Sequence, residues 1–167
     1  MIRDKLSLAE VTSLIAAENA RRLEHATLDT YERESEAAQR LDSIFGTNST
    51  LAVYGTLAPG RQNYHIVRPL GGAWTDGLIE GDLQETGWGA TLGYPAFRPR
   101  TGGSILKIRV LQSEKLPEGW KMVDEFEGPE YHRILIPVFF VEEQGADGSR
   151  RLYTVANIYA ARDSNST

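Results

Sequence analysis

Apolar and polar positions along the chain follow two different rhythms, and the change falls near residue 46. Ahead of it, Leu8, Val11, Leu14 and Ile15 recur at helical spacing behind the capping box Ser7-Leu8-Ala9-Glu10, which predicts a helix. Asp29-Thr30-Tyr31-Glu32 repeats the acidic-cap spacing and predicts the start of a second helix. That helix would carry Ala38, Leu41 and Phe45 inward and end at Gly46; one long helix is the competing reading. After residue 50 the pattern becomes short β-branched and aromatic runs, which predict strands over Leu51–Leu57, Ala73–Leu83, Ser104–Leu111, Ile134–Glu142 and Arg151–Ala160. One helical stretch interrupts them, Ser113–Glu127, with Met122, Val123 and Phe126 on a common face. Gly145-Ala146-Asp147-Gly148 reads as a hairpin turn between the last two strands. Strands without a βαβ rhythm, joined to one main internal helix, predict an α+β fold around a small, partly closed β-barrel.

Composition sharpens the boundary. Residues 1–45 contain no glycine and no proline, whereas all 16 glycines and all 7 prolines follow. A length of 167 residues suits one domain with an appendage. A net charge of −5 argues against a broad phosphate-binding surface, so nucleic acid is not expected as a partner. No cysteine is present, which removes disulfides, thiolate metal sites and a cysteine nucleophile from consideration. The longest apolar run, Ile134–Val141, spans eight residues and includes Pro137, too short to cross a bilayer. No basic-then-apolar leader opens the chain, and a cytoplasmic location is the expectation.

Few residues offer chemistry. His25, His65 and His132 are widely separated, without metal-ligand spacing, and no metal is expected. There is no Gly-x-Ser-x-Gly elbow, Walker loop or dinucleotide fingerprint. Two stretches remain. In "LAVYGTLAPG" (51–60) a strand runs into small residues, so the amides around Gly55, Thr56 and Leu57 could form an anion-binding nest. A tight exit from a core strand explains the same residues. In "VDEFEGPEYHR" (123–133) four carboxylates crowd a helix end. With Val123 and Phe126 inward, Glu127 falls at the edge of the buried face, roughly 40° from Val123, while Asp124 and Glu125 turn toward solvent. A carboxylate at an apolar edge and near a helix C-terminus has its pKa raised, and it can then act as base and acid near neutrality. A solvated acidic helix end is the alternative.

Taken in order, "VYGTLAPG", "GLIEGDL", "GYPAF", "DEFEGPEYHR" and "ANIY" resemble the gamma-glutamylcyclotransferase superfamily, closest to its gamma-glutamylamine cyclotransferase-like branch. The resemblance is collinear from Leu51 to Ala160 and leaves residues 1–50 outside. It implies a mixed barrel whose Tyr54, Gly55, Thr56 and Leu57 line the pocket and hold a substrate carboxylate. It implies Glu127 as the catalytic general acid/base, with Tyr131, Arg133 and Tyr159 as further substrate-binding positions. It also implies a cofactor-independent enzyme that converts a small gamma-glutamyl amide to 5-oxoproline and a free amine. Two departures stand out: "GGSILKIRV" lacks the Gly-Glu pair expected in the middle strand, and Trp88, Tyr94 and Phe97 suggest a bulky pocket rim.

The expected organisation is therefore a helical extension over 1–46, the cyclotransferase-like domain over 51–161, and a flexible tail over 162–167. The extension is expected to pack on the barrel or a partner chain, beyond reach of the pocket, with homodimerisation through the N-terminal helices left open. Two rival functions share these features: a non-catalytic small-ligand binding module, and an interaction protein working through its N-terminal helices.

Overall fold

The computed structural model describes residues 6–24, 35–84, 96–144 and 150–162. The β-branched and aromatic runs pair as β1 (Thr50–Val53), β2 (Ala73–Gln84), β3 (Ala96–Pro99), β4 (Ser104–Gln112), β5 (Tyr131–Gln144) and β6 (Arg150–Ala161). Strand order is β3-β2-β4-β1-β6-β5, and a further pairing of Leu78 with Phe139 joins β2 to β5. Five strands thereby close into a barrel, while β3 pairs with the last residues of β2. β1 and β6 run parallel and the other pairs antiparallel, so the barrel is mixed.

Period-2 alternation decides what faces inward. Ile134, Ile136 and Val138 of β5 and Ala156, Ile158 and Ala160 of β6 fill the interior with Ile79, Ile108 and Val110. The wall is tight at Gly77, where a Cβ would collide with Cγ1 of Val138; bare backbone lets β2 approach β5.

Two helical covers lie on the outside. α3 (Leu116–Glu127) buries Leu116, Trp120 and Val123 against Leu51, Val53 and Leu111. α1 (Leu8–Glu24) and α2 (Glu36–Phe45) bury Val11, Ile15 and Leu41 against Leu135 and Val155. Each such aliphatic side chain contributes about 1.5–3 kcal/mol when fully buried. Asn19 completes the docking: its Nδ2 donates to the Leu135 carbonyl (2.9 Å) and its Oδ1 accepts from the Leu135 amide (2.8 Å). The helical extension thus packs on the chain's own barrel.

Several elements differ from the periodicity reading. Leu8 is 45% exposed, outside the α1 stripe. The Asp29–Glu32 cap lies outside the described residues; α2 starts after Ser35, whose hydroxyl accepts from the Ala38 amide (3.0 Å), and stops at Gly46, φ 71°. β1 ends at Val53, because the next residues turn away into a loop. α3 begins at Leu116 rather than Ser113. β3, short and ending on Pro99, was not foreseen; Phe97 within it is fully buried in the barrel interior and is no pocket rim. Trp88, Tyr94, the Gly145–Gly148 turn and residues 163–167 lie outside the described residues. Arg162, assigned to the tail, is held by its amide donating to the Glu130 carbonyl (2.9 Å). Among the described residues, no helix is long and apolar enough to cross a membrane.

Candidate active site

The parallel pairing of β1 with β6 creates the site. Leu51 pairs with Asn157, so two residues further on both strands reach the same end of the barrel, Val53 beside Tyr159. There the chain after β1 turns through Tyr54–Leu57 and faces the C-terminus of α3. Leu51–Leu57, Glu127, Tyr131 and Tyr159 line one pocket with about 390 Å³ of empty space, part of it open to solvent.

The loop is braced from behind. Buried Asn63 donates its amide N–H to the Thr56 carbonyl (2.9 Å) and its Nδ2 to Thr56 Oγ1 (2.8 Å). The N–H groups of Gly55, Thr56 and Leu57 make no hydrogen bond with any described residue. Three consecutive donors with no partner among the described residues thus lie on a pocket wall, an arrangement of the kind that can bind an anion such as a carboxylate. Gly55 does not have a positive φ, so glycine is not required there by backbone conformation.

Glu127 sits opposite. Leu116, Trp120 and Val123 form the buried stripe of α3, and Glu127 continues it four residues on. Phe126, read from the sequence as inward, is 37% exposed, and Met122 is 43% exposed. α3 ends immediately after Glu127 because Gly128 adopts φ 86°, a left-handed conformation that favours glycine. The half-buried Glu127 carboxyl makes no hydrogen bond or ion pair with any described residue. Burial, and secondarily the charge of Asp124, push its pKa up to about 7. The partial negative charge of the helix C-terminus acts in the same direction.

Asp124 is the residue that sequence reasoning misplaced. It does not turn to solvent: its Oδ1 accepts from the Tyr159 hydroxyl (2.6 Å) and from Arg133 Nε (2.9 Å). Burial, then the charge of Asp124, push Tyr159 up, and burial pushes Tyr54 up as well. Both phenols therefore remain donors, Tyr54 to the Tyr159 carbonyl at 2.7 Å. Tyr54 also packs on Phe97, ring centroids 5.4 Å apart.

Of the residues singled out from sequence, Tyr54, Gly55, Thr56, Leu57, Glu127, Tyr131 and Tyr159 meet at this pocket. Arg133 is not among the lining residues. Its guanidinium lies 4.4 Å over the Trp120 ring and binds Asp124 and Asn157, behind the pocket wall. Sequence reasoning passed over Asn63 and Asn157 and gave Asp124 no part in the site. Asp124 stands three residues before Glu127, a spacing that places both on neighbouring helix positions, and Asn157 lies inside the quoted "ANIY". No group of three or more His, Asp or Glu side chains converges to hold a metal among the described residues.

Comparison with known proteins adds a family and a fold. A family model described as gamma-glutamyl cyclotransferase, AIG2-like, matches residues 51–166. Among curated proteins, no match was found. An AIG2-like protein from Mus musculus has a similar crystal structure, with 18% identity, TM-score 0.50, and coverage of 68% of this chain and 76% of that one. The crystal structure of YkqA from Bacillus subtilis is similar at 20% identity and TM-score 0.48, covering 68% of this chain but only 36% of YkqA. The solution structure of At3g28950.1 from Arabidopsis thaliana matches at 15% identity and TM-score 0.45, covering 67% of this chain and 61% of that protein.

Proposed function

The chain belongs to the gamma-glutamyl cyclotransferase, AIG2-like family, and from that premise we propose that it converts a gamma-glutamyl amide to 5-oxoproline and a free amine, with Glu127 as the proton carrier. The observation that carries this reading is one pocket that holds a half-buried carboxyl with pKa about 7 and three backbone donors, none of them partnered among the described residues. Near neutrality such a carboxyl is divided between base and acid forms.

In the proposed reaction the loop amides of Gly55, Thr56 and Leu57 hold the substrate α-carboxylate. That anchor folds the chain so that its own α-nitrogen reaches the side-chain amide carbon. Glu127 accepts a proton from the α-ammonium, and the freed amine attacks the carbonyl. A five-membered tetrahedral adduct forms. Its collapse breaks the bond to the amide nitrogen, which receives a proton from Glu127 as it departs. The attacking nitrogen sheds two protons overall and the departing nitrogen gains two as it leaves as an ammonium, so the carboxyl ends as it began. Because both reacting groups belong to one molecule, the protein's contribution is folding the substrate and moving protons.

The test is incubation with a panel of gamma-glutamyl amines and gamma-glutamyl amino acids, with 5-oxoproline measured directly. Release from at least one member is expected. Binding without release from any would leave a non-catalytic binding module.

The anchor has its own test. Gly55→Val should weaken calorimetric binding of a gamma-glutamyl ligand by tenfold or more, because a branched side chain blocks approach to the amides. Thr56→Ala should cost less, since its hydroxyl braces Asn63 from behind rather than facing a ligand. The reverse order of damage would make the Thr56 hydroxyl the true contact.

A further inference from the structure

The outer face of the barrel that builds the pocket at one end carries the helical extension at the other. Outward positions of β6 run Val155, Asn157, Tyr159: Val155 lies under α1 and α2, Tyr159 lines the pocket, and Asn157 sits between them. On β5, Leu135 pairs with Asn157, and Arg133 with Tyr159.

A continuous run of hydrogen-bonded side chains crosses this face. Glu18 of α1, 1% exposed, accepts from Arg21 Nε (2.6 Å), Arg22 Nε (2.9 Å) and the Ser35 hydroxyl (2.9 Å). Arg22 Nη1 donates to Asn157 Oδ1 (2.8 Å) and to the Arg133 carbonyl (3.2 Å). Asn157 is fully buried and is oriented by its Nδ2, which donates to the Thr47 carbonyl (2.7 Å). The same Oδ1 accepts from Arg133 Nη1 (3.3 Å), and Arg133 grips Asp124, which holds the Tyr159 hydroxyl.

Helix docking alone gives no reason to build this. Val11, Ile15, Leu41 and the Asn19 clasp already attach the extension, and an apolar contact serves docking as well as a buried charged one. Here two guanidiniums share one acceptor, a like-charge juxtaposition that needs Glu18 on one side and Asp124 on the other. Burial and the charge of Arg133 push Arg22 below the usual arginine range. What the arrangement adds is a fixed position for Arg133, whose carboxylate partner among the described residues is Asp124.

We propose that the helical extension is part of the site: Glu18 and Arg22 of α1 are positioning residues that act through Asn157 to hold Arg133, and hence Asp124, beside Tyr159. The inference deepens, and rests on, the assignment of Glu127 as proton carrier. It replaces the expectation that the extension is independent of the pocket.

The consequence is electrostatic. Groups presented to Glu127 are Asp124 on its own helix, Tyr54 from the end of β1, Tyr131 from β5 and Tyr159 from β6, with Arg133 behind. If Arg133 loosens, the charge of Asp124 is less neutralised, and Glu127 should hold its proton to higher pH.

The experiment is titration of the Glu127 side-chain carboxyl by heteronuclear NMR in the full chain, its signal assigned by its loss in Glu127→Gln. Arg22→Met should raise the midpoint by about half a unit or more, roughly a threefold loss of the deprotonated form on the acid side. The acid limb of kcat/KM should move with it. Arg22→Lys keeps the charge but cannot serve Glu18, Asn157 and the Arg133 carbonyl together; it should shift the midpoint in the same direction and is the variant of record if Arg22→Met does not fold. Asn19→Ala loosens the same helix without touching the run, so it should lower Tm and leave the midpoint in place. A midpoint within about 0.2 unit of wild type in both Arg22 variants overturns the inference, as does an equal shift in Asn19→Ala. The NMR titration needs no substrate. A wild-type chain without 5-oxoproline release defeats the proposed activity and still leaves the inference decided, whereas wild-type turnover with an unmoved titration defeats the inference alone.

Discussion

Glu127→Gln is expected to lower kcat by about 10³-fold while the affinity for a gamma-glutamyl ligand changes by less than about threefold, since positioned acid–base groups are typically worth 10²–10⁴ in rate. Gln keeps the shape of the side chain and the loop amides keep theirs, so the anchor survives. Only proton transfer is removed. Steady-state kinetics with 5-oxoproline detection, beside calorimetric titration of the inactive variant, separates the two effects. A variant that keeps the wild-type rate would move the role to Glu125 or Glu130, both of which are exposed.

The same substitution should stabilise the protein, and only above about pH 5. Glu127 is raised from 4.5 to about 7 on folding. Below 4.5 both folded and unfolded chains carry the proton, and the carboxyl contributes no pH-dependent penalty. Between 4.5 and about 7 the unfolded chain releases its proton while the folded chain retains it, so stability falls as pH rises through this window. Above it the cost is constant, at most ~3 kcal/mol for the whole shift. Glu127→Gln carries no such cost, so its Tm at pH 8 should exceed wild type by as much as ~6–12 °C, at about 2–4 °C per kcal/mol for a chain of this size. The two curves should converge near pH 4. Thermal unfolding followed by circular dichroism across this range gives the answer, and a variant less stable than wild type at pH 8 would contradict the burial of an ionised Glu127. Opposite signs for activity and stability in one variant are the mark of a residue retained for chemistry.

How much of this could be read in advance depended on distance along the chain. The five long β runs were legible because period-2 alternation is a property of neighbours, and all reappear as strands with ends moved by a few residues. β3 was not legible: four residues bounded by Pro99 carry too little pattern, and they pair only because the end of β2 offers an edge. On α3, counting residues put Glu127 close to the buried stripe, yet Phe126, read as inward, is 37% exposed, and the buried ring of the helix is Trp120. Trp120 wins because its indole Nε1 finds the Asn48 carbonyl at 2.9 Å, 72 residues away.

The amino-acid sequence by itself determined the division at Gly46, the α+β class, the strand-to-loop change at Tyr54 and a carboxyl at the end of a half-buried helix, each a matter of residues within one or two turns of each other. The tertiary structure alone decided that Asp124 faces Tyr159 and not water, that Arg133 lies behind the pocket wall and does not line it, and that Arg22 of α1 hydrogen-bonds to Asn157. These depend on side chains brought together by strand register: Arg22 meets Asn157 across 135 positions, and Tyr159 meets Asp124 across 35. A polar side chain's partner is set by where the barrel closes, because a buried donor or acceptor must be satisfied by whatever the fold places beside it, and periodicity carries no information about that neighbour.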